Sequence, residues 1–373
     1  MALLWPCLPP RGAPLAACHG IGPCGEAVAQ AEVRKRGHMV SIKDIARQAG
    51  TSVSTVSRAL NHSGYVSQEV RARVEQAARA LNYQPNAGAR TLRSGRSNLI
   101  GVMLPSLEVE FFARLAHRIE QCLFQQGYQA LICSTAEDPA REKAYVDTFA
   151  AKQVDGLLVA AIGAGPEGLQ ALADTGIPIV AIDRHAQGAP VLTIGSDHKM
   201  GGGLAARHLL ALGHREVVIL GAPSHSEPIR LRAQGMIEAF EAEGLAPPAL
   251  VLGETHNVRS CEALAFGLLS QAARPSAILA TSDIAAVAAM RAAKRLGLEL
   301  PEDLSVTGFD DNPMARCVWP DLTTIRQPVD EIARQSVDNL LARIKAVDHG
   351  GAEEITLDVT LIERHSTAPL RSG

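Results

Sequence analysis

Aromatic residues make up only 3% of the 373 residues while 47% are hydrophobic, so any core must be filled with aliphatic side chains. No stretch offers the roughly eighteen uncharged apolar residues that a membrane-spanning helix needs. The nucleophile elbow GxSxG is absent, which argues against serine hydrolysis through a set such as Ser224, His225 and Asp183. The glycines at Gly195 and Gly201 to Gly203 form neither GxGxxG nor GxxxxGK[ST], so close helix packing explains them better than a phosphate loop. The seven cysteines contain no Cys-x-x-Cys pair. Cys7, Cys18, His19 and Cys24 therefore read as part of a plain tail, and Cys122, Cys133, Cys261 and Cys317 as reduced thiols among apolar neighbours. No metal or cofactor is expected. Residues 1 to 38 are rich in Pro, Gly and Ala, without helical or strand periodicity and without the basic and apolar regions of a secretory signal. They are expected to be a disordered extension, or the product of a start assigned upstream of Met39.

What is present begins with SIKDIARQAGTSVSTVSRALN. Ser41 and Asp44 have the spacing of a capping box, and Ile42, Ile45, Ala46 and Ala49 form an apolar stripe at helical spacing. Gly50 permits a reversal, Ser52 caps again, and Val53, Val56, Ala59 and Leu60 give a second short stripe. Two helices joined by so tight a turn must cross, which makes a helix-turn-helix. The outward face of its second helix carries Ser54, Thr55, Ser57 and Arg58, hydroxyls and a guanidinium suited to base edges and phosphates. A third helix capped by Ser67 supplies Val70, Val74, Ala77, Ala78 and Leu81, and a short weak helix follows at 87 to 93. The charge is divided accordingly. Residues 39 to 98 hold nine Lys/Arg against three Asp/Glu, a net of +6; with +2 in residues 1 to 38 and −3 for the whole chain, residues 99 to 373 carry −11. A basic head for nucleic acid and an acidic body that stays off it follow from that division.

From Leu99 the chain alternates short apolar runs with helical segments. LIGVMLP (99 to 105), QALICS (129 to 134), GLLVAAI (156 to 162) and IPIVAID (177 to 183) read as buried parallel strands separated by FFARLAHRIEQCLFQQG, PAREKAYVDTFAAKQ and PEGLQALADTG. A second series runs helix 199 to 212, strand 217 to 221, helix 229 to 243, strand 249 to 253, helix 257 to 272, strand 277 to 280, helix 283 to 296 and strand 305 to 310. Two such series make two doubly wound α/β lobes, and ligands of such sheets bind beyond the carboxyl ends of the strands, in the cleft between them. The polar residues there are Asp183-Arg184, Arg230 and Arg232 after VVILGAPSHSEP, and Asp310-Asp311. Taken alone, each acid reads as a strand-end cap and each arginine as a surface ion pair. His198, His208 and His214, on or beside one helix, are expected at its surface or ends.

IKDIARQAGTSVSTVSRALN, VSQEVRARVEQAARALNYQPN and ARTLRSGRSNLIGV together resemble the lactose-repressor family of bacterial transcription regulators, and the match runs from about Val40 to the end of the chain. The resemblance implies an all-α head followed by two lobes of periplasmic-binding-protein type. It implies that Val53, Ser54 and Arg58 touch bases and that Leu92 is wedged into the minor groove, a step that costs unstacking but bends the duplex onto more protein surface. It matches Arg232 to the arginine that grips the effector, Asp310 to the aspartate that accepts from its hydroxyls, Phe111 and Phe112 to an aromatic cover, and Ser282 and Thr255 to weaker contacts. It also implies three crossings between lobes, near 195, 326 and 352. The divisions expected are a head at 39 to 85, a hinge at 86 to 98, lobe 1 at 99 to 195 and 328 to 350, lobe 2 at 196 to 326 and 354 to 366, and a tail at 367 to 373. Helix 328 to 347 would return to the first lobe and strand 354 to 363 to the second.

The expected function is a cytoplasmic transcriptional regulator, a repressor in the resemblance, whose operator affinity is controlled by a sugar, sugar acid or sugar phosphate. One helix-turn-helix spans too few base pairs to select a site, so a homodimer on a pseudo-palindromic operator is expected, with a tetramer left open. The sign of the response is set by which lobe arrangement the effector prefers. LRSGRSNLIGVMLPSLE, YQALICSTAEDP, VDGLLVA and PIVAIDR are similar to the fructose-repressor branch, whose members respond to phosphorylated fructose; LGAPSHSEPIRLRAQG follows it only in part, and ribose-type regulators share much of the rest. A sugar-binding transport protein would need an export signal and no DNA-binding head. A sugar-phosphate enzyme on the same scaffold would need a catalytic motif that is not found.

Overall fold

The computed structural model describes residues 40–61, 63–83, 96–160, 172–183, 191–222, 226–346 and 353–370. They divide into two units, one up to residue 86 and one from residue 87. In the first, α1 (Ile42–Gln48), α2 (Val53–Leu60) and α3 (Gln68–Ala80) are fixed largely by local capping. The Asp44 carboxylate accepts from the Ser41 amide at 3.0 Å and its hydroxyl at 2.6 Å, Ser52 accepts from the Thr55 amide at 3.1 Å, and Ser67 from that of Val70 at 3.4 Å. Gly50 reverses the chain at φ +60°. Ile45, Ala46, Ala49, Val56, Ala59, Val74 and Ala77 form the core. Arg71 of α3 donates to the Ala59 carbonyl at the end of α2.

The second unit contains two six-stranded sheets of the same plan. The first lobe holds β1 (Leu99–Leu104), β2 (Gln129–Ser134), β3 (Gly156–Val159), β4 (Ile179–Ile182), β5 (Leu192–Ser196), α4 (Glu110–Gln125) and α5 (Pro139–Lys152). The second holds α6 (His198–Ala211), β6 (Val217–Gly221), α7 (Glu227–Ala242), β7 (Ala249–Leu252), α8 (Val258–Leu269), β8 (Ala277–Ala280), α9 (Asp283–Arg295), β9 (Ser305–Asp310) and β10 (Thr323–Arg326). Then α10 (Val329–Lys345) returns to the first lobe, where Val329, Ile332, Ala333, Val337, Leu340 and Leu341 join the core of β1 and β3 to β5. With β11 (Glu354–Leu357) and β12 (Thr360–Ile362), the strand orders are β11-β5-β4-β3-β1-β2 and β12-β10-β9-β8-β6-β7, parallel except for β12 against β10.

Several expectations need correction. The apolar segment at 354 to 363 is two strands, β11 (Glu354–Leu357) beside β5 in the first lobe and β12 (Thr360–Ile362) beside β10 in the second. The third crossing is therefore at Asp358-Val359 rather than near 352, and residues 354 to 357 belong to lobe 1. β5 and β10 were not anticipated, because in LTIGS and TTIR buried threonines, which suit a pleated sheet, interrupt the apolar run. Residues 367 to 370 of the tail are held against the second lobe. His214 bonds the Ala368 carbonyl, His208 the Thr367 hydroxyl, and the Leu370 amide donates to Leu212. His208, in the last turn of α6, and His214, just beyond it, are the helix-end residues expected, drawn inward by those bonds, and burial holds both imidazoles below their ordinary pKa. The hinge helix, Leu92 and most of PEGLQALADTG lie outside the described residues.

Candidate functional site

The face of α2 turned away from the head's core presents Val53, 40% exposed, with Ser54 and Arg58, while Thr55 and Ser57 are half-buried. Three of the five expected DNA contacts on α2 are partly occupied. The hydroxyls of Ser54 and Thr55 each lie 2.8 Å from that of Ser52 in the cap, and Asn61 donates to the Ser57 carbonyl at 2.6 Å and to its hydroxyl at 3.3 Å. Among the described residues Arg58 reaches only the carbonyl of Ser54, at 3.4 Å, and it is exposed. Val53, expected both in the apolar stripe and at the bases, is on the outside.

A cleft of about 620 Å³ lies between the carboxyl ends of the two sheets. From the first lobe, β1 leads into the start of α4, where Phe111 and Phe112 meet edge to face with centroids 5.1 Å apart, and β4 ends at Asp183. From the second, α7 brings Arg232, β7 leads to Glu254 through Asn257, β8 to Ser282, and β9 ends at Asp310. Asp183 and Asp310 have φ of +59° and +113°, a costly backbone for non-glycine residues, of the kind retained at binding sites.

Arg232 is the centre of the polar side. Its guanidinium lies 3.1 Å from Asp310, donates to the Thr281 carbonyl at 2.8 Å, and stacks 3.8 Å from the centroid of Phe309. Its Nε donates at 3.2 Å to Nδ1 of His198, whose Nε2 lies 2.9 Å from Asp183. Because Nδ1 accepts, the neutral ring carries its proton on Nε2 and donates it to Asp183. His198 was expected at a surface or helix end; it is the first residue of α6 but fully enclosed, 4% exposed, because both its partners lie beneath it. Burial pushes the Asp183 carboxyl up, but His198, Arg232 and the Ser196 amide pull it below its ordinary value. Burial drives Asp310 above its own against Arg232 and His256.

The backbone of this arrangement depends on missing side chains. A Cβ on Gly202 would sit 2.0 Å from the Arg232 carbonyl oxygen, and one on Gly235 1.9 Å from that of Lys199, so α6 and α7 approach as only glycine allows.

Of the other expected ligand contacts, Ser282 caps α9 and lies 2.9 Å from Nε2 of His256, and Thr255 donates to Ser260. Arg230 is exposed on α7 and does not line the cleft. Asp311 turns away to Arg326 and Arg364. Arg184, Ser224 and His225 lie outside the described residues. Glu108, Glu137, Glu254, His256 and Asn257 line the cleft and were missed. Glu254 to Asn257 directly follow the strand ALVLG, so the strand-end rule that singled out Asp183 and Asp310 applies to them too.

Two family models match, the bacterial regulatory proteins of the lacI family at residues 41–86 and the periplasmic binding protein-like domain at 206–367. The HTH-type transcriptional regulator DegA of Bacillus subtilis is 33% identical over 89% of this chain and 99% of its own. The chain belongs to the lacI family. A crystal structure of the Lac repressor dimer bound to operator and the anti-inducer ONPF is 31% identical, covers 88% of this chain and 99% of its own, and superposes with a TM-score of 0.80. A lacI-family regulator from Enterococcus faecium with bound ribose, 28% identical, covers 73% and 100% with a TM-score of 0.66. As a lacI-family member the chain is a DNA-binding transcriptional regulator, and its two sheets are the lobes of the periplasmic-binding-protein-like domain. No helix among the described residues is long and apolar enough to cross a membrane.

Proposed function

We propose that the protein is a cytoplasmic, non-enzymatic repressor that binds a pseudo-palindromic operator as a homodimer and releases or tightens it when a small polyhydroxylated effector occupies the cleft. The observation that carries this reading is the chain Asp183–His198–Arg232–Asp310, which joins the strand ends of both lobes across the cleft. A ligand bonded to both ends favours the lobe arrangement in which they meet, and that differential affinity is what a regulator needs. Phe111 and Phe112 would cover one face of the ligand, while Ser282 and Thr255 border it. In the relative with bound ribose the same scaffold holds a sugar.

On DNA, Val53, Ser54, Thr55, Ser57 and Arg58 read the major groove and Leu92 opens the minor groove. The reading is tested with full-length protein and an operator recovered by selection from random DNA. Arg58→Ala is expected to cost about 1 to 3 kcal/mol on the operator and little on random DNA. Absence of any sequence preference in the wild type would overturn the reading.

A further inference from the structure

The cleft has a charge pattern that narrows its ligand further than a sugar, sugar acid or sugar phosphate. This step rests on the cleft being the effector site. Among the described residues its lining holds five carboxylates, Glu108, Glu137, Asp183, Glu254 and Asp310, against one guanidinium, Arg232, and one imidazole, His256. Burial holds that imidazole below its ordinary pKa, so it stands neutral near pH 7. Arg232 is already engaged by Asp310, His198 and the Thr281 carbonyl, and only its Nη2 end is bonded to nothing else among the described residues.

The helix N-termini that open on the cleft, another source of positive potential, carry groups of their own. Ser282 accepts from the Ala285 amide, Asn257 from the Ser260 amide, and α4 and α7 begin with Glu110 and Glu227. The carboxylates beside Arg232 are, by contrast, incompletely used. Asp183 is bonded to His198 and Ser196 through Oδ1, and Asp310 to Arg232 and Gln327 through Oδ1, so among the described residues Oδ2 of each has no partner. Two ionisable carboxyls with an open oxygen apiece ask for O–H donors. A phosphate or carboxylate group brings mostly bare acceptor oxygens at neutral pH and would meet the negative potential of Asp183 and Asp310.

We infer that the effector is an uncharged, hydroxyl-rich molecule, a sugar or polyol carrying neither phosphate nor carboxylate, that donates hydroxyls to Asp183 and Asp310. This runs against the fructose-repressor likeness of the first-lobe segments, whose implied effectors are phosphorylated. Those segments supply the apolar side of the cleft, but they also carry Glu108, Glu137 and Asp183, three of its five acids.

Matched pairs test it: ribose against ribose phosphate, fructose against fructose phosphate, and glucose against gluconate, titrated calorimetrically into the full-length protein. In the pair that binds best, the neutral member is expected to bind at least about tenfold tighter, which corresponds to about 1.4 kcal/mol. An anionic member that binds tenfold tighter than its neutral partner overturns the inference. Glu254→Gln, a change at an exposed position of the lining, is expected to improve anion binding relative to neutral binding; equal effects on both would count against the charge argument. Phe112→Ala separates the two readings. If it weakens whichever ligand binds, the cleft is the site and the ratio within the pair decides the charge; if binding is indifferent to it, the site itself has been misplaced.

Discussion

The two lobes share a strand plan but divide the work of the cleft. The first presents Phe111, Phe112, Val109 and Ala160 with the acids Glu108, Glu137 and Asp183; the second presents Arg232, Asp310, Glu254, His256, Asn257 and Ser282. Their interiors differ in the same sense. The first lobe is filled by large side chains such as Leu115, Ile119, Leu158 and Phe149, whereas the second packs α9 through Ala285, Ala286, Ala288, Ala289, Ala292 and Ala293 and brings α6 against α7 through Gly202 and Gly235. Small residues allow backbones to approach closely, and that approach is what sets Arg232 in place. One lobe thus offers a surface for the apolar face of a ring, and the other a fixed array of donors and acceptors for its hydroxyls.

The comparison breaks first at Arg232. Replacing it by Ala strands Asp310 in a buried site, and chemical denaturation should report a loss of about 3 to 5 kcal/mol, together with loss of effector binding. Phe112→Ala, on the half-buried side of the first lobe, should instead weaken the effector while leaving most of the stability. Gly202→Ala comes next. Its methyl would meet the Arg232 backbone, which cannot retreat like the tip of a side chain, so an overpacking loss of about 1 to 3 kcal/mol is expected by thermal denaturation. A cost near zero would show that α6 and α7 are looser than drawn.

Acid should separate the lobes as well. His208, His214 and His256, all in the second lobe, are held below their ordinary value of 6.5 by burial, so the unfolded chain takes up protons that the folded lobe refuses. Stability is therefore full above that value and falls as pH drops through it, by up to about 1.4 kcal/mol per pH unit for each histidine. Asp183 in the first lobe has a lowered pKa, so its contribution is present above 3.8 and is lost only on further acidification. Hydrogen exchange followed from pH 7 to about pH 5 should show the segment held by His208 and His214 loosening before the strands of the first lobe, and simultaneous loosening would remove the distinction. The smallest effect lies at Gly267, exposed on α8 with open space where a Cβ would go. Gly267→Ala is expected to stabilise by about 0.5 to 1 kcal/mol, in contrast to the same change at Gly202.

How much of this was legible in the sequence follows from how local each cause is. The head was readable because its determinants lie within one turn: Ser41 with Asp44, Ser52 with Thr55, Ser67 with Val70, and a glycine where φ is positive. The strand-end rule located Asp183, Arg232 and Asp310, but it left out Glu254 to Asn257 and wrongly admitted Arg230, because spacing on a helix does not say which face meets the cleft. His198 was out of reach for a different reason: its partners are 15 and 34 residues away, and nothing near it in the chain marks it as the link between lobes. Likewise the alternation through EITLDVTLI continues unbroken across Asp358, although the chain changes sheets there.

The central claim is that occupancy of the cleft sets affinity for DNA. Fluorescence anisotropy with the selected operator measures it directly, with and without a saturating amount of the neutral sugar that binds most tightly, for the wild type and for Asp310→Asn. Coupling of the usual size predicts a change of roughly 5- to 150-fold in operator affinity for the wild type and none for the variant at the same sugar concentration. An unchanged operator affinity while calorimetry shows the wild-type cleft filled would contradict the account.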